Sequence, residues 1–384
     1  MSEKPLNVAL IGTAFMGKAH SNGWRNVHAT FDTRPIRMHT LVGTNPETTE
    51  ANAKQYGWAH ASTDWQAVVN DPDIDIVDIC TPGYLHAEMG LAALKSGKNV
   101  IVEKPLANTL DEAQEMVAEA QSAARNGQKS MVAFNYRRVP ALALAAKIIA
   151  EGSLGAVRQI RAAYLQDWLA DPDFGMTWRL RKDTAGSGAL GDLGSHVIDQ
   201  LRFLTGAEIT TASARLATFV TERTNDHGDK EPVTVDDAAW ATLTLAGGHV
   251  AEGAIASVEV TRMATGAKNG LTLEIFGEKG ALRFELERFN ELQFFTTEDD
   301  TETQGFHRIL VTEGEHPYLS AWWPPGHVIG WAETFTAEFA DFLATIGTQG
   351  EASPSFLDGL KVQQVLAAIE RSASEDSRAV AIQE

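Results

Sequence analysis

Segments with the pattern of strands alternate with segments typical of helices over the first 135 residues, and this alternation restricts the fold more than any other feature. The apolar run at residues 7–11 leads into the turn Gly12-Thr13-Ala14-Phe15-Met16-Gly17 and then into helix-compatible residues. Further apolar runs lie at residues 38–43, 73–81, 99–105 and 130–135. Strands separated by helices at this spacing predict a parallel, doubly wound α/β sheet.

Helix start and stop signals fall between these runs. Asn45 followed by Pro46 is typical of an N-cap and a first helical residue. Residues 109–112 have the spacing of a capping box, and Gly97 is the expected end of a helix over residues 85–96.

The glycine turn fits a dinucleotide-binding fingerprint with one departure. The pattern G-x-G-x-x-G has glycine at its second position, where this chain has Ala14, the smallest alternative. Because a strand and a helix flank the turn, we predict an NAD(P)-binding Rossmann domain over residues 1–135. The alternative is an ordinary turn between a strand and a helix.

The end of the second strand is where an acid would bind the ribose 2′-hydroxyl of NAD. The chain has Gly43-Thr44-Asn45 there, with neither an acid nor an arginine. Charge at this turn therefore selects neither NAD nor NADP.

The run at residues 99–105 ends in Glu103-Lys104-Pro105. A buried parallel strand that ends in this way delivers charge to the carboxyl edge of the sheet, where such sheets bind ligands. Pro105 lacks a backbone donor and favours an extended Lys104. Lys104 is therefore a catalytic candidate, and the alternative is an exposed ion pair of Glu103 and Lys104.

Residues 136–384 follow a different pattern. Strand-like runs joined by turn sequences precede helical segments at residues 331–346 and 356–374, which predicts a second, α+β domain with a large, mainly antiparallel open sheet. The strand-like runs lie at residues 157–165, 233–245, 250–260, 271–276 and 281–286.

Two further features of this half lead to predictions. Alternating apolar residues predict that the open sheet face meets a second copy, in a homodimer or homotetramer. The aromatic, proline-containing segment at residues 321–326 is either a rigid lid over a sugar or a loop packed on the core. The alternating residues are Leu243, Leu245, Val258 and Val260.

One glycine-rich segment of this half contains chemically suitable residues. Asp192 and His196 are four residues apart at the start of a predicted helix, so they share a face and the carboxylate can orient the imidazole. Histidine titrates near neutrality and can take a proton from an alcohol. The alternative is a helix cap by Asp192 with His196 packed behind it.

Composition excludes several classes of protein. The length of 384 residues suggests two domains, and 44% hydrophobic with 22% charged residues is typical of a globular protein. A net charge of −19 argues against nucleic-acid and anionic-membrane partners. We expect Cys80 to be a buried structural thiol, no metal site, no signal peptide or membrane span, and a cytoplasmic location.

Four motifs in order resemble the Gfo/Idh/MocA family, which includes glucose–fructose oxidoreductase and inositol dehydrogenase. They are the glycine turn, Thr81-Pro82 followed by His86, Glu103-Lys104-Pro105, and residues 191–196. The resemblance covers essentially the whole chain. It implies a Rossmann domain, a C-terminal domain whose open sheet serves oligomerisation, and hydride transfer between a nicotinamide and a sugar or cyclitol carbon.

The resemblance also implies roles for individual residues. Lys104, Asp192 and His196 match the catalytic set. Within the family, residues 131–138, 164–168 and 186–192 are most similar to the levoglucosan dehydrogenase branch, which suggests that Tyr136, Gln166 and Trp168 line the sugar pocket; core packing is the alternative. The implied cofactor-binding residues are Gly12, Ala14, Phe15, Met16, Gly17, Thr44, Asn45, Thr81, Pro82, His86, Glu103 and Lys104.

The resulting hypothesis is an NAD(P)-dependent dehydrogenase, with NAD slightly favoured, that acts on a secondary hydroxyl of a pyranose, an anhydro-sugar or a cyclitol. A keto-sugar reductase that uses the same site is one alternative. A non-catalytic dinucleotide-binding sensor is another.

Overall fold

The computed structural model describes residues 4–383, and the chain forms two compact units. The first consists of Met1–Arg138 with Gly330–Lys361, and the second of Val139–Ile329 with Val362–Glu384. The sequence predicts a second domain that takes in all of residues 136–384. In the structure, Gly330–Lys361 belongs to the first unit instead.

The helices and strands have the following bounds. The strands are β1 (Leu6–Ile11), β2 (Ile36–Val42), β3 (His60–Ser62), β4 (Ile76–Ile79), β5 (Asn99–Glu103), β6 (Ser130–Ala133), β7 (Val157–Leu165), β8 (Glu208–Ala217), β9 (Glu222–Thr224), β10 (Lys230–Pro232), β11 (Ala238–Ala246), β12 (Val250–Thr261), β13 (Gly270–Gly277), β14 (Gly280–Glu285), β15 (Glu291–Thr296), β16 (His307–Leu310) and β17 (Val380–Ala381). The α-helices are α1 (Phe15–Thr30), α2 (Pro46–Tyr56), α3 (Trp65–Asn70), α4 (His86–Lys95), α5 (Leu110–Ala124), α6 (Pro140–Ala150), α7 (Lys182–Ala185), α8 (Ser195–Thr205), α9 (Trp331–Thr345) and α10 (Phe356–Ser374).

The first unit contains a parallel sheet with the order β3-β2-β1-β4-β5-β6, six strands within residues 4–383. This is the Rossmann order, so the predicted α/β class is confirmed. The caps at Asn45 and Thr109 form as predicted. Strand β3 was not predicted, because it has three residues and its first two are exposed.

Helix α9 packs on the first unit through aromatic side chains. The rings of Trp24 in α1 and Phe339 in α9 stack with centroids 4.1 Å apart, and Phe335 is fully buried beside them. Burial of this apolar surface accounts for the return of Gly330–Lys361 to the first unit, since large aromatic side chains contribute strongly to packing.

The second unit contains a mixed sheet with the order β16-β15-β14-β13-β7-β12-β11-β8-β17, nine strands in the part of the chain that is described. Strands β7 and β12 pair in parallel, and the other neighbouring strands pair antiparallel. The predicted large, mainly antiparallel sheet is confirmed. Residues 233–237, which the predicted strand included, precede β11 and are not part of it.

The two faces of this sheet carry different side chains. Leu243, Leu245, Val258 and Val260 are all buried, with at most 6% of the side chain exposed, so the prediction that they form the open face is wrong. Alternation along a strand separates two faces, but it does not indicate which face the helices of the same chain cover. The open face carries alternating neighbours such as Trp240 and Glu259 instead.

The aromatic segment at residues 321–326 is irregular, as expected. A 3₁₀ turn at Leu319–Ala321 includes its first residue, and Trp323 is 58% exposed. None of the helices within residues 4–383 combines the length and apolarity needed to cross a membrane.

Candidate functional site

The glycine turn after β1 requires glycine at its first and last positions. Gly12 has φ = +122°, and a Cβ there would lie 2.6 Å from the carbonyl oxygen of Cys80. A Cβ on Gly17 would lie 2.0 Å from the carbonyl oxygen of Gly12. The loop therefore packs tightly against β4 and the start of α1, as the dinucleotide-binding fingerprint requires.

The amino terminus of α1 suits an anion. Its N-cap is Ala14, which makes no capping side-chain bond within the described residues, and its first turn contains no acid. Backbone N–H groups and the helix dipole at such an end favour a phosphate group. Phe15 is 66% exposed and stacks on Trp331, whereas Met16 packs against the apolar core. These residues fit the pyrophosphate of a dinucleotide.

The turn after β2 is crowded at its first residue and open at the next two. A Cβ on Gly43 would lie 2.3 Å from Thr49 Oγ1 and 2.8 Å from Thr13 Cγ2. Thr44 and Asn45 are exposed, and Asn45 Oδ1 accepts the N–H of Thr48. A charged side chain that is meant to face the ribose of a dinucleotide is therefore best introduced at Thr44 and not at Gly43.

His86 links the segments that follow β4 and β5. Its Nδ1 lies 2.9 Å from the carbonyl oxygen of Pro105, and its Nε2 lies 2.9 Å from that of Thr81. Burial lowers the pKa of His86, although both carbonyls oppose this shift. Because both ring nitrogens face protein oxygens, this placement favours a structural link over the direct cofactor contact that the resemblance implies. Pro82 is half-buried in the same segment.

Glu103 and Lys104 do not form an exposed ion pair, because Glu103 is buried at the end of β5. Its Oε2 accepts the backbone N–H of Lys104 at 3.0 Å, and its Oε1 lies 2.9 Å from His20 Nε2. Lys104 is half-buried, and the peptide that joins it to Pro105 is cis. The Glu103 side chain therefore holds the backbone of Lys104 in place.

In the second unit, Asp192 lies in a π-helical turn, Leu190–Gly194, directly before α8. Turns of this kind are rare in proteins, and those that occur are often at functional sites. The N-cap residues of this turn and of α8 are Ala189 and Gly194, so Asp192 occupies neither N-cap position. Asp192 is half-buried, and His196 on the first turn of α8 is 7% exposed, with its ring 6.0 Å from the ring of Tyr164.

Two buried residues that sequence reasoning missed hold this turn. Asp236 accepts the N–H groups of Gly188 and Leu190 with its two carboxylate oxygens, at 2.8 Å each. Arg262 donates to the carbonyl oxygen of Asp236 at 3.2 Å. Burial lowers the pKa of Arg262, and the charge of Asp192 opposes this most strongly. A Cβ on Gly188 would lie 1.8 Å from the Asp236 carbonyl oxygen, so the turn needs glycine.

The predicted sugar-binding residues divide between the units. Gln166 and Trp168 lie after β7 in the second unit, with Asp192 and His196, whereas Tyr136 is buried in the first. Gln166 Nε2 donates to Asn269 Oδ1 at 2.9 Å, and the Tyr164 hydroxyl donates to the same oxygen at 2.7 Å. The Arg262 guanidinium lies 5.4 Å from the Trp168 ring centre. These polar and aromatic groups suit a polyhydroxylated ligand.

Family models match both units. The model described as "Oxidoreductase family, NAD-binding Rossmann fold" matches residues 6–134, and the model described as "GFO/IDH/MocA C-terminal domain" matches residues 142–283. The chain therefore carries an NAD-binding Rossmann domain.

Individual proteins are similar over the full length. Levoglucosan dehydrogenase of Pseudarthrobacter phenanthrenivorans is 41% identical over 389 residues, 97% of each chain. A solved structure of levoglucosan dehydrogenase with NADH and levoglucosan is 41% identical, covers 99% of this chain and 100% of that one, and has a TM-score of 0.93. An oxidoreductase domain protein from Kribbella flavida is 48% identical over 100% of both chains, with a TM-score of 0.95.

Proposed function

Because the chain belongs to the Gfo/Idh/MocA family of oxidoreductases, we propose that it is an NAD-dependent dehydrogenase acting on a secondary hydroxyl of a sugar. The proposed substrate is an anhydro-sugar of the levoglucosan type, or a related pyranose or cyclitol. The observation that carries the proposal is the π-helical turn that places Asp192 one turn before His196, away from either N-cap position, and that the buried Asp236 holds. The identity to levoglucosan dehydrogenase over 97% of the chain supports the substrate class.

The roles follow from the chemistry of each group. When bound, NAD supplies the acceptor for the hydride that leaves the hydroxyl-bearing carbon. His196 accepts the proton of the hydroxyl as the carbonyl forms, and Asp192 orients the imidazole. Lys104 donates a hydrogen bond to the substrate oxygen while negative charge develops on it. Gln166 and Trp168 bind the sugar hydroxyls and ring, together with Tyr136.

A substrate panel tests the proposal. Levoglucosan, common pyranoses and inositols are incubated with NAD or NADP, and the reduced nicotinamide is followed by its absorbance. We expect turnover with at least one of these compounds. Activity only with keto-sugars and reduced cofactor would favour a reductase, and tight cofactor binding without any turnover would favour a sensor.

We also propose that a second copy covers the open face of the large sheet, in a dimer or tetramer. This face is polar, since Arg161 and Arg283 both pair with Glu274, at 3.1 Å each, and Trp240 is 37% exposed. Light scattering at micromolar concentration should detect the oligomer, and Trp240→Glu should shift it toward monomer. A monomeric wild-type protein would contradict this part of the proposal.

A further inference from the structure

A buried histidine joins two carboxylates at the ends of β4 and β5. His20 of α1 places Nδ1 2.9 Å from Asp78 Oδ2 and Nε2 2.9 Å from Glu103 Oε1. The exposed fractions of the three residues are 0%, 0% and 5%. Asp78 Oδ2 also accepts the indole N–H of Trp24 at 2.7 Å. The cluster of His20, Asp78 and Glu103 is therefore a specific hydrogen-bonded arrangement inside the first unit.

Proton counting determines the charge of this cluster. A neutral imidazole has one N–H donor and one acceptor nitrogen, and ionised carboxylates only accept. With a carboxylate oxygen at each ring nitrogen, either His20 carries both protons or one acid keeps a proton and donates to the ring. The net charge is −1 in both cases. Burial lowers the pKa of His20, but Asp78 and Cys80 together outweigh this effect and the pKa lies well above its usual value, which favours the imidazolium.

Glu338, Cys80 and Arg138 lie outside the cluster, and they do not substitute for the positive charge of the His20 imidazolium. Glu338 of α9 is fully buried, neither of its oxygens has a hydrogen-bond partner within residues 4–383, and burial raises its pKa to about 8. It is therefore mostly neutral at pH 7. Burial also raises the pKa of the Cys80 thiol, whose Sγ lies 3.7 Å from Asp78 Oδ1. Arg138, whose charge acts on Glu338, pairs with Asp341 at 3.0 Å.

The cluster is connected to the main chain of Lys104 through one side chain. The two oxygens of Glu103 have different partners, because Oε1 faces His20 and Oε2 accepts the Lys104 N–H. Loss of the His20 contact would free Glu103 to rotate away from Lys104. We propose that His20 is a positioning residue for Lys104, acting through Glu103. The proposal rests on the proposed function only where it assigns Lys104 a role in catalysis.

Hydrogen exchange at the Lys104 amide tests this without any substrate. The variant is His20→Gln, and the matched control is Lys98→Met. Lys98 is also buried and lies just before β5, at the end of the strand away from Glu103. It donates to the carbonyl oxygens of Asp71 and Ile74. We expect His20→Gln to accelerate exchange at Lys104 by about tenfold or more relative to the control. Equal exchange in the two variants would overturn the proposal.

Variants of Glu103 keep the test decisive if His20→Gln does not fold. Glu103→Gln retains an oxygen for the Lys104 N–H and offers an NH₂ group to a neutral His20, so it should preserve protection at Lys104. Glu103→Ala should lose it. Equal protection in both Glu103 variants would contradict the role of this side chain. Ligand-type atoms of His20, Asp78 and Cys80 all lie within 4.8 Å of one another, so stoichiometric metal in the purified protein would also overturn the proposal.

Kinetics then connect the cluster to catalysis. In His20→Gln, kcat should fall about tenfold to a hundredfold while the KM for sugar and the Kd for NAD change little, because a misplaced catalytic group mainly lowers the rate. The Lys98→Met control should keep wild-type kcat. If the wild type oxidises no sugar, the proposed function fails, and the exchange experiment still decides whether His20 positions Lys104.

Discussion

The two units secure their proposed catalytic residues in similar ways but balance the buried charge differently. In the first, Glu103 accepts the N–H of Lys104 and contacts the titratable His20. In the second, Asp236 accepts the N–H groups of Gly188 and Leu190 at the start of the turn that carries Asp192, and the nearby cation is Arg262. The His20 imidazolium can lose its charge when the pH rises above its raised pKa, whereas the guanidinium of Arg262 keeps its charge. The main chain at Lys104 should therefore respond to pH, and the turn at Asp192 should not.

The largest expected effects come from removing the proposed catalytic group of each unit. His196→Ala should lower kcat by about a hundredfold to ten-thousandfold, the usual range for an acid–base group. Lys104→Met should cost about 3–4 kcal/mol in the transition state, because a preorganised donor is lost. Steady-state kinetics and thermal midpoints are measured on the same samples. A lower midpoint with unchanged kcat in His196→Ala would remove His196 from the mechanism.

The next effect tests whether the second unit depends on its buried acid. Asp236→Ala leaves two buried N–H groups without their acceptors, so it should lower the free energy of unfolding by about 3 kcal/mol and kcat by about tenfold to a hundredfold. Urea unfolding and kcat are measured between pH 6 and 9, and the loss of kcat should not vary with pH.

The adjacent Asp237 provides a matched control. It accepts the N–H groups of Phe219 and Val220 at 2.7 and 3.1 Å, in a different loop. Asp237→Ala should destabilise the protein to a similar extent and leave kcat unchanged. If both alanine variants lower kcat equally, the turn of Asp192 has no special dependence on Asp236.

The same two regions show what a single sequence can and cannot indicate. The glycine turn, the caps and the end of β5 were predictable because each depends on residues close together in the chain. His20 and Glu103 are 83 positions apart, and a histidine within a helix gives no sign of its partner. Asp236 was included in a strand-like run because hydrophobicity patterns do not show where β11 begins.

A smaller effect concerns stability in the first unit. Burial raises the pKa of Glu338 from 4.5 to about 8, so between these pH values the folded chain keeps a proton that the unfolded chain has released. The free energy of unfolding therefore falls as pH rises through this window, by about 1.4 kcal/mol per pH unit for this group, and levels off above it.

Glu338→Gln removes the titrating proton. The variant should match the wild type near pH 5 and exceed its free energy of unfolding by about 3–5 kcal/mol at pH 8. Urea titrations at the two pH values measure the difference. An equal difference at both would show that Glu338 is ionised in the folded chain, which would add negative charge beside His20 and remove the basis for treating Glu338 as neutral there.

The smallest expected effect is on the choice between NAD and NADP. It concerns Thr44, a solvent-exposed residue of the first unit that contacts neither Glu103 nor Asp236. The turn after β2 has no charge to select between NAD and NADP, so wild-type discrimination should stay below about a thousandfold, or 4 kcal/mol. Gly43 cannot accept a side chain without displacing Thr49, whereas Thr44 is exposed. Thr44→Asp should raise the preference for NAD by about tenfold, since its charge repels a 2′-phosphate through water.

The change should appear in the KM for NADP, with kcat for NAD and hydrogen exchange at Lys104 as in the wild type. Serine at the same position is the control for loss of the threonine methyl group. A fall in kcat with either cofactor would mean that charge at the ribose end affects Lys104. In that case Lys104 would respond to charges elsewhere at the carboxyl edge of the sheet, despite its link to Glu103 and His20. The difference in pH response between the two units could then not be assigned to His20 alone.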